Sequence, residues 1–151
     1  MTITELLRTE HAAFNSILQE IEGVLPSGAT LGEIRILVRV IAGFLQQHGG
    51  KEEAVLYPAL DHMQAHRGKL QELTQEHGEL DQQVRQVANH RDLNKARQQL
   101  GQLIQAIRQH FEHEERHLFP LAEEVLPDEN LVALAEACVP WKNSIPVSVS
   151  A

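Results

Sequence analysis

The chain is short of cysteine, of aromatic residues and of basic residues. Its 151 residues include one cysteine, Cys138, which excludes an internal disulfide framework and fits a reducing compartment. Against 21 aspartate and glutamate residues stand 13 lysine and arginine residues, which leaves a formal charge of −8. Because no basic stripe is present to neutralise phosphates, we expect no nucleic-acid partner.

Long apolar runs are missing as well. The opening MTITELLRTE interleaves polar and apolar side chains and lacks the apolar core of a secretory signal. No run approaches the roughly 20 apolar residues that span a bilayer, so we expect no membrane association. The sequence therefore predicts a soluble, cytoplasmic protein, and its length predicts one domain with a sizeable core.

Apolar residues recur at helical spacing along almost the whole chain, and strand-type alternation is absent. We expect four amphipathic helices, over about residues 3–25, from about 30, over 67–88 and after 94, and a short helix around 130–137. Short connections predict an all-α fold, an antiparallel up-down-up-down four-helix bundle. The bundle would occupy residues 1–126. The short C-terminal helix and tail, 127–151, would pack on it, with Trp141 as an anchor.

One segment of the chain occurs twice. HGGKEEAVLYP (48–58) and HFEHEERHLFP (110–120) align without a gap at an offset of 62 residues. Each copy keeps a histidine and, four residues on, a glutamate, so His48/Glu52 and His110/Glu114 are matched pairs on one helix face. An imidazole above a carboxylate on an apolar face is costly to bury unless something compensates it. A metal ion is the usual compensation.

Two further histidines lie on apolar stripes, one on the first helix and one on the third. At about 1.5 Å per residue, counting from the helix ends places them level with the repeated pairs. The predicted metal ligands are therefore His11, His48, Glu52, His77, His110 and Glu114. These are too many for one tetrahedral zinc, but two metals could each take two histidines and share two bridging glutamates. The adjacent Glu53 and Glu115 are either acceptors for ligand N–H groups or plain surface residues.

The pattern His11 … His48-x-x-x-Glu52 … His77 … His110-x-x-x-Glu114, with its EE-x-x-L-[YF]-P endings, resembles the hemerythrin-like, or HHE cation-binding, domain. The resemblance covers roughly residues 5–125. It implies a four-helix bundle around a non-haem di-iron centre, with the six residues as ligands and the two glutamates as bridges. The implied cofactor is two oxo- or hydroxo-bridged iron ions, with manganese or zinc as the alternatives.

The chain departs from the oxygen-carrying hemerythrins, which have a second histidine one turn from the ligand on the third helix and an aspartate on the last helix. Here the positions one turn either side of His77 are Leu73 and Asp81. Water, Asp81, Tyr57 or an exogenous molecule would then complete the shell of one iron. This puts stable reversible dioxygen binding in doubt and favours redox or peroxide-linked chemistry.

These features favour a protein, monomeric or homodimeric, that binds or reacts with dioxygen, peroxide or nitric oxide. Whether it is an enzyme stays open, with catalase-like peroxide consumption as one activity to test. The alternative is a non-catalytic iron-sensing, oxygen-sensing or metal-binding module that acts through a partner. A purely structural bundle with incidental histidines is the third hypothesis.

Other residues of the two repeated segments admit more than one interpretation. His113 is expected to face a neighbouring helix or water. His117 is a possible partner or substitute ligand, because Glu114-x-x-His117 matches the ferritin-like Glu-x-x-His pattern. The equivalent position of the first copy is Val55, so that pattern is only the second choice. Two adjacent glycines, at 49–50, lie inside a predicted helix. They would allow a close helix approach or an opening for a small ligand, and it is equally consistent with the sequence that the helix simply tolerates them.

Overall fold

The computed structural model describes residues 1–61 and 66–138. Its regular structure is entirely helical, and no strand occurs in the described residues, which confirms the all-α class. The elements are α1 (Ile3–Val24), α2 (Leu31–Lys51), a π-helical turn (Glu52–Leu56), α3 (Tyr57–Leu60), α4 (Arg67–Asn89), α5 (Leu93–His113), a second π-helical turn (Glu114–Leu118), α6 (Phe119–Val125) and α7 (Asp128–Ala137). None of the described helices is both long and apolar enough to cross a membrane.

The first two long helices begin at matching caps. Thr2 caps α1: its hydroxyl accepts the Glu5 N–H at 3.2 Å, while the Glu5 carboxylate accepts the Thr2 N–H at 2.8 Å. Thr30 and Glu33 make the same reciprocal pair at the start of α2. Each capping box satisfies two backbone donors that a helix N-terminus leaves without a partner.

A proline stands just after each π-helical turn. The residues before the two prolines, Tyr57 and Phe119, donate their N–H groups to carbonyls five residues back instead of four. Pro58 and Pro120 have no N–H to donate, and their rings would clash with the carbonyl four residues earlier in a regular α-helix. A single wider turn accommodates each proline without breaking the helix, as π-bulges do inside longer helices.

The wider turns change which residues face inward. Leu56 and Leu118 are fully buried, whereas the sequence pattern placed Val55 and His117 on the inner stripe. His117 is exposed, and its ring meets that of His113 at a centroid distance of 5.3 Å. The prediction of His117 as a ligand or ligand partner is therefore wrong, and the ferritin-like pattern fails with it. Each residue of a π turn rotates by less than an α residue, so the fourth residue after the glutamate, not the third, stays inside.

The long helices surround a core that is divided by a polar layer. α1 packs against α2 and α5, and α4 packs against the same two helices. Two buried apolar clusters form, one containing Phe14 and Ile41, the other Leu7 and Leu56. On α1 and α4 a predicted ligand lies between members of the two clusters: His11 lies between Leu7 and Phe14, and His77 lies between Leu73 and Leu80. A polar layer at this depth is costly unless its groups have partners.

The last described helix, α7, packs against α1, α6 and the first π-helical turn. The predicted boundary between residues 126 and 127 remains a prediction. The expected tail after α7 and its anchor Trp141 lie outside the described residues.

Candidate metal centre

All six predicted ligands lie together in the middle of the molecule. Their nitrogen and oxygen atoms form two groups, each with all its ligand atoms within 4.8 Å of one another. The first group comprises His11, His48, Glu52 and Glu114, and the second comprises Glu52, His77, His110 and Glu114. The two glutamates therefore belong to both groups. Five of the six residues are buried, and the side chain of the sixth, His77, is 15% exposed.

Glu52 divides its two carboxylate oxygens between the groups. Its Oε1 lies 3.5 Å from His48 Nε2, and its Oε2 lies 3.3 Å from His77 Nε2. The carboxylate thus reaches one histidine of each group through a different oxygen. This is the arrangement that a carboxylate needs in order to bridge two cations.

Glu114 does the same from the opposite repeat. Its Oε2 lies 3.2 Å from His11 Nε2 and 3.9 Å from His48 Nε2. Its Oε1 lies 3.0 Å from His110 Nε2 and 3.7 Å from His77 Nε2. Burial opposes ionisation of this carboxyl, but the four imidazoles around it hold the pKa of Glu114 well below its usual range. Glu114 is therefore a carboxylate at neutral pH, as a bridging ligand must be.

The inward-facing atoms have no ordinary partner. Both oxygens of Glu52, both oxygens of Glu114, and Nε2 of His77 and of His110 are buried without a hydrogen bond among the described residues. The short nitrogen–oxygen contacts between them lack hydrogen-bond geometry. A buried polar atom left without a partner costs about 1–3 kcal/mol, and more when it is charged. Two cations among these atoms would satisfy them, so the residues present fit a two-metal centre.

The outer nitrogen of each histidine is bonded to a glutamate. The four Nδ1···Oε distances are 2.9 Å for His11 with Glu115, 2.9 Å for His48 with Glu10, 2.7 Å for His77 with Glu53 and 2.7 Å for His110 with Glu76. An ionised carboxylate can only accept, so each Nδ1 carries a proton, and in a neutral ring the Nε2 points inward with a lone pair. Such bonds fix the tautomer and the ring orientation of metal-binding histidines.

These four bonds close a ring around the long helices. Glu10 of α1 supports the histidine of α2, and Glu53, from the turn after α2, supports that of α4. Glu76 of α4 supports that of α5, and Glu115, from the turn after α5, returns to α1. Each of the four long helical stretches therefore orients one ligand of its neighbour. Lys51, whose Nζ lies 2.5 Å from Glu10 Oε1, holds one of these carboxylates in turn.

Two of the four outer carboxylates were named in the sequence analysis and two were missed. Glu53 and Glu115 are 48% and 44% exposed, yet each accepts a ligand N–H, so they are surface residues and acceptors at once. Glu10 and Glu76 were not predicted. The signal that would have found them is the dipeptide Glu-His at 10–11 and 76–77, which parallels Glu-Glu at 52–53 and 114–115. Adjacent residues are about 100° apart on a helix, so the neighbour of an inward ligand faces the next helix.

Protonation of the histidines follows from the carboxylates around them. Burial alone would lower the pKa of His48, but the nearby carboxylates of Glu10, Glu114 and Glu52 outweigh it and raise the pKa to about 11. Burial would also lower the pKa of His77, but the carboxylates of Glu114, Glu52 and Glu53 outweigh it and raise the pKa to about 10. Without a metal, both rings therefore carry a second proton at neutral pH, and a bound cation would replace that proton.

The two halves of the centre differ in their surroundings. The His11 ring stacks on Phe111 at a centroid distance of 3.9 Å, and the His48 ring stacks on Phe44 at 5.3 Å. These phenyl rings shield the first half from water. The second half is open on one side, where His77 is partly exposed.

Two residues proposed to complete the shell of one iron take different places. Asp81 is exposed, and neither group of ligand atoms includes it, so it is not a direct ligand in this arrangement. The Tyr57 hydroxyl is buried and has no hydrogen-bond partner among the described residues. Burial and the carboxylates Glu52 and Glu114 raise the pKa of Tyr57, so its phenol stays neutral. His113 faces α4, as expected, where its Nδ1 lies 2.7 Å from Glu76.

Comparison with known proteins agrees with this geometry. The sequence model of the hemerythrin HHE cation-binding domain matches residues 2–122 and, in a second match, residues 82–136. No curated protein and no solved structure matches the chain. The family match spans most of the sequence and includes all six clustered residues. The chain therefore belongs to the hemerythrin HHE cation-binding domain family.

Proposed function

We propose that the chain is a non-haem di-iron protein that binds or reacts with dioxygen, peroxide or nitric oxide. The observation that carries the proposal is the pair of shared glutamates, each with one oxygen in either group of ligand atoms. Imidazole nitrogen together with carboxylate oxygen suits iron. A single tetrahedral zinc would leave two of the six residues without a role.

Each metal ion would be held by two histidines and the two shared carboxylates. His11 and His48 would serve one ion, and His77 and His110 the other. An iron pair in this place would supply redox equivalents and open coordination positions for a small molecule. The protein supplies the rest: orientation of the imidazoles, exclusion of water from one half, and charge.

Six carboxylates determine the charge of the centre. Two lie inside, between the histidines, and the other four are bonded to the outer nitrogens of those histidines. Together they offset the charge of two cations, which explains how an apolar core can hold both. The outer carboxylates also raise the basicity of the ligands by accepting their N–H groups.

The proposal extends to the architecture. The packing of α1 and of α4 against both α2 and α5 supports an antiparallel up-down-up-down bundle of these four helices. We also retain the division into a bundle over 1–126 and a packed C-terminal helix and tail over 127–151. A cytoplasmic location and a monomeric or homodimeric state complete the proposal.

Metal analysis tests the proposed function directly. Protein purified from iron-supplied cells should contain close to two irons per chain and show an absorption band in the visible or near ultraviolet. Hydrogen peroxide should be consumed, or should change and restore that band. A well-loaded preparation that holds a single zinc would contradict the di-iron assignment. A loaded protein whose spectrum ignores peroxide, dioxygen and nitric oxide would favour a metal-binding module that acts through a partner.

A further inference from the structure

A cleft between α2 and α4 leads from the surface to the metal centre. Its volume is about 430 Å³, and its inner end is formed by His48 of the first half and by His77 and His110 of the second. The phenyl rings of Phe44 and Phe111 stack on the imidazoles of His48 and His11. Access from solvent is greatest at His77, whose side chain is 15% exposed, against 2% for His48.

Two glycines border this cleft. A Cβ added at Gly49 would lie 3.4 Å from His77 Cε1, which is ordinary van der Waals contact, so α2 packs directly against the imidazole at this position. A Cβ added at Gly50 would meet no heavy atom within 4 Å, because this position faces the open cleft. Both glycines lower the helix propensity of α2, and Gly50 leaves the adjoining part of the cleft free.

The cleft is larger than a diatomic gas or hydrogen peroxide needs. One water molecule occupies about 30 Å³ of liquid, and such small ligands need a similar volume. The space instead falls within the range of about 300–1,000 Å³ that is typical of sites for small organic molecules. Its walls near the centre include the apolar side chains of Ala42, Leu45, Leu80 and Val84.

The charges around the cleft favour a neutral occupant. The walls outside the metal centre carry two carboxylates, Glu53 and Asp81, and one guanidinium, Arg85, so these walls have no excess of positive charge to attract an anion. The whole chain carries a formal charge of −8, which further disfavours anions. An uncharged molecule with a hydrocarbon body and one polar end matches both the walls and the inner end.

We propose that the cleft binds a neutral organic hydroperoxide, with its hydrocarbon body against Leu80 and Val84 and its hydroperoxide group towards His77. The choice of head group rests on the proposed function, since a peroxide-reactive centre lies at the inner end. The site for the hydrocarbon body rests on the cleft alone.

Cumene hydroperoxide, titrated into the full chain loaded with zinc, tests this proposal. Zinc takes the same ligands and is redox-inert, so binding is observed without turnover. We expect saturable chemical-shift changes at the methyl groups of Leu45, Leu80 and Val84. The exposed methyl groups of Ile36 and Val40, away from the cleft, serve as an internal control and should not shift. Absence of saturable shifts, or shifts spread equally over both sets, would overturn the proposal.

A matched pair of variants places the binding site. Gly50→Leu puts a bulky side chain into the cleft and should weaken binding at least tenfold. Gly43→Leu makes the same change on α2 at another position where an added Cβ meets nothing within 4 Å, and it should leave binding unchanged. Equal affinities in the two folded variants would contradict the assignment. The wild-type titration decides by itself if either variant fails to fold.

Failure of this inference is distinguishable from failure of the proposed function. A chain that holds two irons but shows no saturable methyl shifts contradicts the cleft site and leaves the di-iron proposal standing. A chain that holds no metal pair, yet binds cumene hydroperoxide at the same methyl groups, contradicts the di-iron proposal and supports the cleft site.

Discussion

The Nε2 atoms of His11 and His48 lie 2.9 Å apart. The Nδ1 of each ring is bonded to a carboxylate, so in the neutral rings both facing nitrogens present lone pairs. Two lone pairs do not approach this closely without a positive charge between them. A proton satisfies the pair in the metal-free chain, and a metal ion replaces it.

Metal binding should therefore release protons. His48, with its pKa raised to about 11, and His77, raised to about 10, are protonated at pH 7.5 without metal and must be neutral as ligands. Titration calorimetry with zinc, repeated in buffers of different ionisation enthalpy, should show release of more than one proton. Metal affinity should rise from pH 6 to pH 9. His90→Gln, at the end of α4 and outside both groups of ligand atoms, should release the same number. A heat that is independent of the buffer would refute this.

The stability of the metal-free chain should fall as the pH rises. The folded-state pKa values of His48 and His77 lie above the ordinary value of 6.5, so folding favours the protonated rings. This contribution is complete below pH 6.5 and is lost progressively towards pH 10–11. Thermal unfolding between pH 6.5 and 9 should therefore show a falling Tm. The zinc-loaded chain, whose histidines are neutral already, should show a much smaller slope. Equal slopes would mean that the histidines are not the groups responsible.

Alanine substitutions of the inner glutamates should cost the chain more of its metal than alanine substitutions of the outer glutamates. Glu52→Ala or Glu114→Ala removes a carboxylate that both groups share, so both ions should be lost or bound far more weakly. Glu53→Ala or Glu115→Ala removes only an acceptor for a ligand N–H, which costs about 10–100-fold in metal affinity. Metal content after dialysis against a graded series of chelator concentrations separates the two classes. Equal losses at all four positions would show that the inner pair is not shared.

Two signals in the sequence predict the six clustered residues, and both coincide at four of them, while His11 and His77 carry only the second. The segment repeats, and the polar residues interrupt otherwise apolar stripes at helical spacing. The outer carboxylates carry no such signal. Glu10 and Glu76 each lie beside a ligand on their own helix but serve a histidine of the next helix, and that pairing depends on how the helices pack. Charged residues next to a buried stripe ordinarily belong to the solvated face.

The inner positions beyond each glutamate were predicted one residue too early. A constant helical period leads from Glu114 to His117, but the π-helical turn brings Leu118 inside instead. Pro120 is the visible cause, and its counterpart Pro58 acts in the first copy. The prolines were in the sequence, but whether a helix ends, kinks or widens before a proline depends on the packing around it.

Replacement of Tyr57 by phenylalanine decides whether this residue is a metal ligand. The Tyr57 hydroxyl is buried, and no described residue hydrogen-bonds to it, while burial and then the nearby carboxylates raise its pKa and keep the phenol neutral. Removal of a buried hydroxyl without a partner relieves a desolvation cost, so Tyr57→Phe should leave the Tm of the metal-free chain unchanged or raise it, by an amount equivalent to about 1–3 kcal/mol at most. The Tyr57 ring, stacked beside His77 at a centroid distance of 6.1 Å, would be kept by phenylalanine. Iron content and the optical band should then match the wild type. A tyrosinate ligand would instead give a visible band that disappears in Tyr57→Phe together with part of the iron, and that result would return Tyr57 to the shell of the ion held by His77 and His110.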